Sequence, residues 1–262
     1  MASDRKPWTP GYGEYKEVII AESMNNHGLS DCFRSNGTLP ANYGYRLDER
    51  VIEIPWVLSR LSHEGDWLLD AGSALNFAYL MGHEVLKEKR IVIYTLSPEE
   101  VIKKATISYV YGDLRHSLFR DEFFDEVVCI STLEHVGMDN TFLYSGDARF
   151  RESLPHDYLK VVEEFRRLLK PGGKVFITVP YGRYENHGWL QVFDNGMVDS
   201  VVKTFDGSTS RAAYYRYDAD GWQISSSDDC AQSAYFDIHH CADYEPDYVA
   251  AARAVACLEL TK

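Results

Sequence analysis

Leu68-Leu69-Asp70-Ala71-Gly72-Ser73 decides the fold, because a short apolar run leads directly into a turn of small residues. Three segments follow in order: Gly112-Asp113-Leu114, an apolar run over 124–135, and a Leu-Lys-Pro-Gly-Gly turn that opens a run over 169–179. Short β-branched runs that alternate with helical patterns are typical of strands covered on both faces. Together the four segments predict one parallel α/β sheet that binds a small ligand along the carboxyl ends of its strands.

The N-terminal quarter of the chain lacks this alternation. Residues 1–65 predict an N-terminal arm and a cover helix, and the arm is irregular because Gly, Pro, Asn and Tyr dominate it to about residue 45. Asp48 can cap the cover helix, and Pro55 predicts a bend or a restart within it.

The rest of the chain predicts three further parts of a single domain. Residues 66–180 form the core of strands and helices, and its clearest helix spans about 156–170, where apolar residues fall on one stripe. Residues 181–250 predict an insertion over the ligand site, with one helix and a hairpin around 218–221. Residues 251–262 predict the final strand.

Composition and charge limit the classes of partner. The 262 residues are 45% apolar and 26% charged, as in an ordinary globular protein. A net charge of −13 argues against nucleic acid and against anionic membrane surfaces, because both are bound by clustered Lys and Arg. The segment 217–252 contains eight carboxylates and no Lys or Arg, which is a solvated acidic face or a surface that repels polyanions.

Cysteines and the N-terminus indicate the compartment. The five cysteines are odd in number and show no Cys-x-x-Cys spacing, so we expect neither a disulfide framework nor a zinc site. The first residues lack an apolar signal core, and no apolar run approaches membrane-spanning length. A reducing cytoplasm fits best.

Residues that end the predicted strands are the candidates for ligand binding. Asp70 would repel a phosphate, so it indicates a ligand with a positive group, or else it caps the next helix. Asp113 can accept a hydrogen bond from an exocyclic amine, or it is a turn residue after Gly112. His135 is the candidate general base because its unperturbed pKa lies near neutrality, although it could equally be a helix-start histidine with satisfied hydrogen bonds.

The ordered set resembles the class I S-adenosylmethionine-dependent methyltransferases, well over residues 66–180 and loosely at the final strand. The matching segments are the first-strand motif at 68–73, the acid Asp113, the fourth-strand run over 124–135 and the turn at 169–173. The Leu-Glu-His-Val version resembles the branch that methylates small molecules. The resemblance implies a Rossmann-like, seven-stranded, mostly parallel sheet with helices on both faces.

The same resemblance implies which residues contact S-adenosylmethionine. They share a place at the strand ends, with Asp70, Gly72 and Ser73 along the methionine, Asp113 and Leu114 at the adenine, and Ser131 near the sulfonium.

Two departures from the family pattern concern the cofactor. Ala74, Leu75 and Asn76 stand where further glycines are usual, and Thr95 replaces the acid that usually binds the ribose hydroxyls. A hydroxyl makes a weaker bond than a carboxylate. Thr95 with neighbouring backbone does this work, or the affinity is lower, or another group holds the ribose.

The acceptor side is less determined. The loop 181–189 suits a sugar-like or aromatic acceptor, or packs as an ordinary loop. Glu49-Arg50 reaches the cofactor carboxylate or forms a surface ion pair. The other ionisable candidates are Asp139, His187, His239 and His240. The cluster over 239–243 lacks the spacing of a zinc site, so we expect no metal.

The sequence therefore predicts an S-adenosylmethionine-dependent methyltransferase that acts on an oxygen, or as second choice a nitrogen, of a small molecule or a sugar or glycan precursor. We expect no nucleic-acid or membrane partner, and a homo-oligomer stays open. The alternative is a non-catalytic S-adenosylmethionine-binding protein that acts as a partner or sensor. A dinucleotide-dependent oxidoreductase is disfavoured, because Gly-x-Gly-x-x-Gly after the first strand and an acid after the second are both missing.

Overall fold

The sheet at the centre of the molecule has eight strands. A computed structural model describes residues 6–144, 146–241 and 243–262. The strands are β1 (Trp67–Ala71), β2 (Arg90–Thr95), β3 (Ile107–Tyr111), β4 (Phe124–Ile130), β5 (Leu169–Pro180), β8 (Thr209–Asp218), β9 (Gly221–Ser225) and β10 (Ala254–Thr261), while β6 (Glu185–Asn186) and β7 (Gln191–Val192) form a separate ribbon.

Strand order puts a topological switch beside β1. The order across the sheet is β3-β2-β1-β4-β5-β10-β8-β9, and the five strands from β3 to β5 are mutually parallel. β10 and β8 each run antiparallel to the strand before them, as does β9. The chain moves outward from β1 to β3 and then crosses to β4 on the other side. In such sheets the crevice at this reversal binds ligands.

Helices cover both faces of the sheet. The helices are α1 (Tyr12–Asn25), α2 (His27–Ser35), α3 (Arg50–Leu58), α4 (Ala78–Met81), α5 (Tyr158–Leu168), α6 (Asn195–Phe205) and α7 (Ser227–Cys230). One apolar core lies under α1, α2 and α3, and the other lies under α5 and α6. Within the described part of the chain, none is long and apolar enough to span a bilayer.

The mostly parallel α/β sheet and the hairpin at 218–221 are confirmed, with one difference in the sheet. It has eight strands instead of seven, because β8 and β9 add to the edge beyond β10. The segment expected as a loose insertion thus contributes two strands to the main sheet.

The expectation of an irregular arm is wrong for residues 12–35, which form α1 and α2. The buried residues of α1 are Tyr12, Ile20 and Ser23, so aliphatic residues alone do not form an apolar stripe along this helix. Tyr12 Oη donates to Asp48, and Ser23 Oγ lies 2.7 Å from Tyr43 Oη. Buried polar contacts therefore hold α1 in place, although its sequence has no clear apolar stripe that would predict a helix.

Helix α3 runs unbroken through Pro55, where a bend or restart is predicted from the sequence. Proline cannot donate to the carbonyl four residues earlier, which belongs to Val51. The hydroxyl of Tyr43 donates to that carbonyl instead, at 2.7 Å. The replacement bond keeps α3 continuous, and α3 places Arg50 and Glu53 beside the ligand crevice.

Candidate functional site

A cavity lies at the carboxyl ends of β1 to β4, where the sheet order reverses. We call it the cofactor cavity. Six of the eight predicted site residues line it: Gly72, Thr95, Asp113, Leu114, Ser131 and His135. Gly72 has φ +112°, and a Cβ built there would stand 2.0 Å from Oγ1 of Thr132. Only glycine fits this turn, which leaves bare backbone facing the cavity.

Asp70 and Ser73 do not line the cofactor cavity. Asp70 is fully buried, and its Oδ2 accepts a hydrogen bond of 2.9 Å from the backbone N–H of Leu75. Burial raises the pKa of Asp70 from 3.8 to about 7. Its other oxygen, Oδ1, has no hydrogen-bond partner among the described residues. Asp70 thus holds the turn after β1 and does not cap the next helix, which begins at Ala78 with Phe77 as its N-cap residue.

Thr95 and Ser73 meet at one carboxylate that the sequence did not single out. Glu99 accepts a bond of 2.6 Å from Ser73 Oγ and one of 3.2 Å from Thr95 Oγ1. Glu99 follows Thr95 by four residues, and it returns an acid to the end of β2, where the sequence pattern lacks one. The carboxylate, with two oxygens, keeps acceptor capacity beyond these two bonds.

The carboxylate of Asp113 is already engaged. Nε and Nη2 of Arg115 donate to it, and Nη2 lies 2.6 Å from Oδ2. The same guanidinium also pairs with Glu152 at 2.7 Å and with Asp157 at 2.8 Å. Although burial alone would raise it, the pKa of Asp113 is lowered by its bonds to Arg115. Asp113 is therefore ionised at neutral pH and held at the rim of the cavity.

Ser131 and His135 follow the end of β4 and stand at the inner end of the cavity. Ser131 has φ +38°, and its hydroxyl donates to buried Glu53 at 2.7 Å. Nδ1 of His135 lies 2.9 Å from the carbonyl oxygen of Trp189, which can only accept, so Nδ1 carries the proton and Nε2 keeps a free lone pair. Burial lowers the pKa of His135 to about 4, so the ring is neutral at physiological pH.

A second cavity of about 580 Å³ adjoins the first. It lies between the N-terminal helices, the loop after β5 and residues 235–251. Its wall is aromatic and acidic: Trp8, Trp189, Tyr235 and Phe236 face it together with Asp48, Glu49, Glu134 and Asp237. A volume of this size is in the range of small-molecule sites.

Glu49 and Arg50 were weighed as a surface ion pair, and that interpretation is wrong. Glu49 is buried, and its Oε2 accepts from the backbone N–H of Ala252 at 3.2 Å. Arg50 pairs with Glu53, whose other oxygen receives the Ser131 hydroxyl. Burial, together with Asp48 and Glu53, raises the pKa of Glu49 from 4.5 to about 8.

The remaining sequence candidates divide between the second cavity and the surface. Trp189 and His239 line the second cavity. The imidazole of His240 is mostly exposed and pairs with Asp237, and Asp139 is bonded to Thr141. No group of three or more His, Cys, Asp or Glu suited to a metal occurs among the residues that the structure describes.

Three functional candidates were missed from the sequence. Glu53 carried a signal, because a lone acid inside the apolar run Val51-Ile52-Glu53-Ile54 is expensive to bury without a purpose. Glu99 and Arg115 carried none, since each acts through a loop whose path sequence patterns do not predict.

A family profile described as a methyltransferase domain matches residues 69–177. No curated protein matches the chain significantly.

Three solved structures of similar shape are distant from this chain in sequence. A 1,6-didemethyltoxoflavin-N1-methyltransferase of Burkholderia thailandensis is 12% identical, with coverage of 79% of this chain and 75% of the other and a TM-score of 0.44. An S-adenosylmethionine-dependent methyltransferase of Methanosarcina mazei is 12% identical, with coverage of 79% and 96% and a TM-score of 0.46. The Haloferax volcanii complex of a methyltransferase with the Trm112 activator is 16% identical, with coverage of 92% and 96% and a TM-score of 0.48. Likeness at this level assigns no acceptor.

Proposed function

We propose that this chain is a class I S-adenosylmethionine-dependent methyltransferase that methylates an oxygen of a small molecule or a sugar or glycan precursor. The match of residues 69–177 to a methyltransferase-domain profile supports the reaction class. A nitrogen is the second choice of methylated atom. The chemistry requires a cofactor site and an acceptor site that open onto each other.

The observation that carries the proposal is the meeting of the two cavities. Ser131 and His135 line both of them. A donor held in the first cavity and an acceptor held in the second would therefore face each other at these two side chains. Such an arrangement lets positioning supply much of the acceleration, up to about 7–11 kcal/mol in favourable intramolecular cases.

The first cavity fits the cofactor by the chemistry of its residues. The bare backbone at Gly72 gives close approach, apolar Leu114 offers a face for a flat base, and ionised Asp113 can accept from an exocyclic amine. Thr95 and the adjacent Glu99 supply acceptors for the two ribose hydroxyls. We assign the methionine part to the region of Asp70, Gly72, Ser73 and Ser131, with Asp70 acting through the turn that it holds.

His135 is proposed as the general base. When bound, S-adenosylmethionine would supply a methyl group from its sulfonium to the acceptor oxygen, and the sulfur would remain as the neutral thioether of S-adenosylhomocysteine. His135 takes the hydroxyl proton at Nε2, the nitrogen that the Trp189 carbonyl leaves free. A pKa of about 4 makes this a weak base, so it serves best late in the transfer, when the oxygen has become strongly acidic.

The first test is calorimetric titration of the protein with S-adenosylhomocysteine. We expect one site, and the absence of binding by the wild-type chain would overturn the proposal. Turnover tests the base: we expect His135→Ala to lower kcat by about 10²-fold or more with little change in S-adenosylhomocysteine affinity. Full activity of His135→Ala would remove the base assignment.

The proposed acceptor is a small molecule, and we place the enzyme in the cytoplasm. All five cysteines are free thiols, three of them buried, which suits a reducing compartment.

A further inference from the structure

The wall of the second cavity contains more acidic side chains than Lys and Arg side chains to pair with them. Nζ of Lys16 pairs with Asp48 at 2.7 Å, and the guanidinium of Arg50 pairs with Glu53. Among the described residues that line the cavity, Lys16 and Arg50 are the Lys and Arg side chains, and both are already paired. The other basic side chains in the lining are histidines. The acids Glu49 and Glu134 remain without a cation of their own.

Glu134 is the least satisfied of these groups. The residue is 3% exposed, it lines the second cavity and not the first, and its Oε2 has no hydrogen-bond partner within the described chain. Its Oε1 lies 3.9 Å from Nε2 of His135, beyond hydrogen-bond reach. A buried carboxyl oxygen left unbonded is costly, so its presence beside a cavity indicates a ligand that completes it.

Aromatic rings complete the same wall. Trp189 packs between His135 and Phe142, with ring centroids 5.2 and 5.0 Å away, and Tyr235 lies 6.5 Å from Trp189. Aromatic faces attract cations, and the attraction grows when the cation is desolvated. Acids without a cation and fixed aromatic faces therefore favour the same kind of guest.

From this geometry we propose that the second cavity selects acceptors that carry an ammonium group, and that Glu134, supported by Glu49, binds that group. The inference rests on the proposed function and adds the acceptor's class, an alkylamine that is protonated at neutral pH, with or without an aromatic ring elsewhere in the molecule. It concerns recognition, so the methylated atom can be a hydroxyl elsewhere on the same molecule.

Burial raises the pKa of Glu134 and of Glu49, so each carboxyl tends to hold its proton while the cavity contains no cation. An entering ammonium group favours the ionised form, and the proton leaves to solvent. The acid therefore avoids an unpaired buried charge in the free protein and becomes charged when the ammonium group enters.

The test uses matched probes that differ only in the amine. Tyramine is paired with 4-ethylphenol, tryptamine with 3-ethylindole, and 2-phenylethylamine with ethylbenzene. Each is titrated into the protein saturated with S-adenosylhomocysteine. We expect the amine of at least one pair to bind about tenfold or more tightly than its neutral partner, the size of a charge-assisted hydrogen bond. No preference in any pair, or no binding of any probe at millimolar concentration, overturns the proposal.

Variants assign the preference to a side chain. Glu134→Gln keeps the shape and removes the charge, so we expect it to abolish the amine preference, and Glu49→Gln to reduce it. Exposed Glu163→Gln on α5 is the matched control and should keep the full preference. A preference that survives Glu134→Gln and Glu49→Gln alike also overturns the proposal.

The cofactor carries an ammonium group of its own, and a second arm separates the two sources. S-adenosylhomocysteine and 5′-methylthioadenosine share the nucleoside, but only the former has the amino-acid tail. We expect Glu134→Gln to leave the affinity of both unchanged. If it weakens only S-adenosylhomocysteine, Glu134 serves the cofactor and the proposal fails. Failure of the wild-type protein to bind S-adenosylhomocysteine would instead refute the proposed function.

Discussion

The two cavities that meet at Ser131 and His135 are built on opposite principles. In the cofactor cavity the proposed cofactor-binding side chains Asp113 and Thr95 already have partners, Arg115 and Glu99, although Oδ1 of Asn140 has none among the described residues. In the second cavity Oε2 of Glu134, a proposed ligand-binding atom, has no partner within the described chain. The free volumes differ as well, at about 120 Å³ against about 580 Å³.

This difference predicts two modes of binding. A ligand of the cofactor cavity exchanges partners with Asp113 and Thr95, which are hydrogen-bonded without it. A ligand of the second cavity supplies a partner that the protein lacks. Preorganisation favours the first site, and an unmade bond favours the second.

The largest effect is expected from Gly72→Ala, which changes the turn that lines the cofactor cavity. The added Cβ would stand 2.0 Å from Thr132 Oγ1, and φ of +112° is strained for any residue with a Cβ. We expect a loss of about 2–4 kcal/mol in the free energy of unfolding and no detectable S-adenosylhomocysteine binding. Urea denaturation and calorimetry measure the two quantities.

The matched control for this change is Gly13→Ala in α1, where no atom lies within 4 Å of the added Cβ. It should be neutral or slightly stabilising. A Gly72→Ala protein that unfolds and binds like the wild type would show that the turn after β1 is not rigid.

Glu49→Gln tests the second cavity through the pH dependence of the free energy of unfolding. Burial raises the pKa of Glu49 from 4.5 to about 8, so the folded state retains a proton that the unfolded chain releases. The resulting stability is complete below pH 4.5 and is lost as the pH rises to 8, at up to about 1.4 kcal/mol per unit. We expect Glu49→Gln to lack this loss, and therefore to gain stability relative to the wild type across that window.

Denaturant curves from pH 4 to 9 provide the measurement, and exposed Glu22→Gln on α1 is the control that should follow the wild type. Parallel pH profiles for the wild type and Glu49→Gln would mean that the second cavity does not strain its acids.

Asp113→Ala returns to the cofactor cavity with a smaller expected effect. It removes the proposed acceptor for the adenine amine and releases Arg115 from one of its three acids. We expect S-adenosylhomocysteine to bind about 10- to 100-fold more weakly, as for the loss of a hydrogen bond to a charged group. Asp147→Asn, at an acid whose carboxylate accepts hydrogen bonds from Arg149 and does not line the cofactor cavity, should change nothing in the same titration. Equal affinities of Asp113→Ala and the wild type would place the adenine elsewhere.

The fold was largely predictable because it depends on local patterns. The apolar runs at 68–70 and 126–130 become β1 and β4 within a few residues. The Leu-Lys-Pro-Gly-Gly segment was expected as a turn, and that expectation is wrong, because residues 169–173 are the first part of β5. α1 was not predicted because its buried residues are mixed, with Tyr12, Ile20 and Ser23, and α2 was not predicted although Leu29, Cys32 and Phe33 form an apolar stripe along it. The path of β8 and β9 onto the sheet depends on long-range pairing, which periodicity does not contain.

The site was predictable at strand ends and not in loops. Gly72, Asp113 and His135 line one cavity, because the carboxyl ends of parallel strands converge. The partners that set their chemistry come from loops and from distant segments, as with Arg115 on Asp113 and the Trp189 carbonyl on His135. Sequence reasoning therefore found the groups without their protonation and partners.

The smallest effect is expected from Glu99→Gln, and it is the sharpest test of the preorganised side. Glu99 bonds to Ser73 and Thr95 in the protein alone, so a role in ribose binding requires it to accept further hydrogen bonds from the ligand. The amide retains one oxygen acceptor and loses the charge. We therefore expect S-adenosylhomocysteine to bind about fivefold to tenfold more weakly, while homocysteine-free 2′,3′-dideoxyadenosine, which lacks both hydroxyls, should be indifferent to the change. The neighbouring Glu100→Gln is the matched control. If Glu99→Gln weakens the affinity of S-adenosylhomocysteine and of 2′,3′-dideoxyadenosine by the same factor, Glu99 shapes the loop without contacting the ribose. Thr95 and the neighbouring backbone would then bind the ribose hydroxyls.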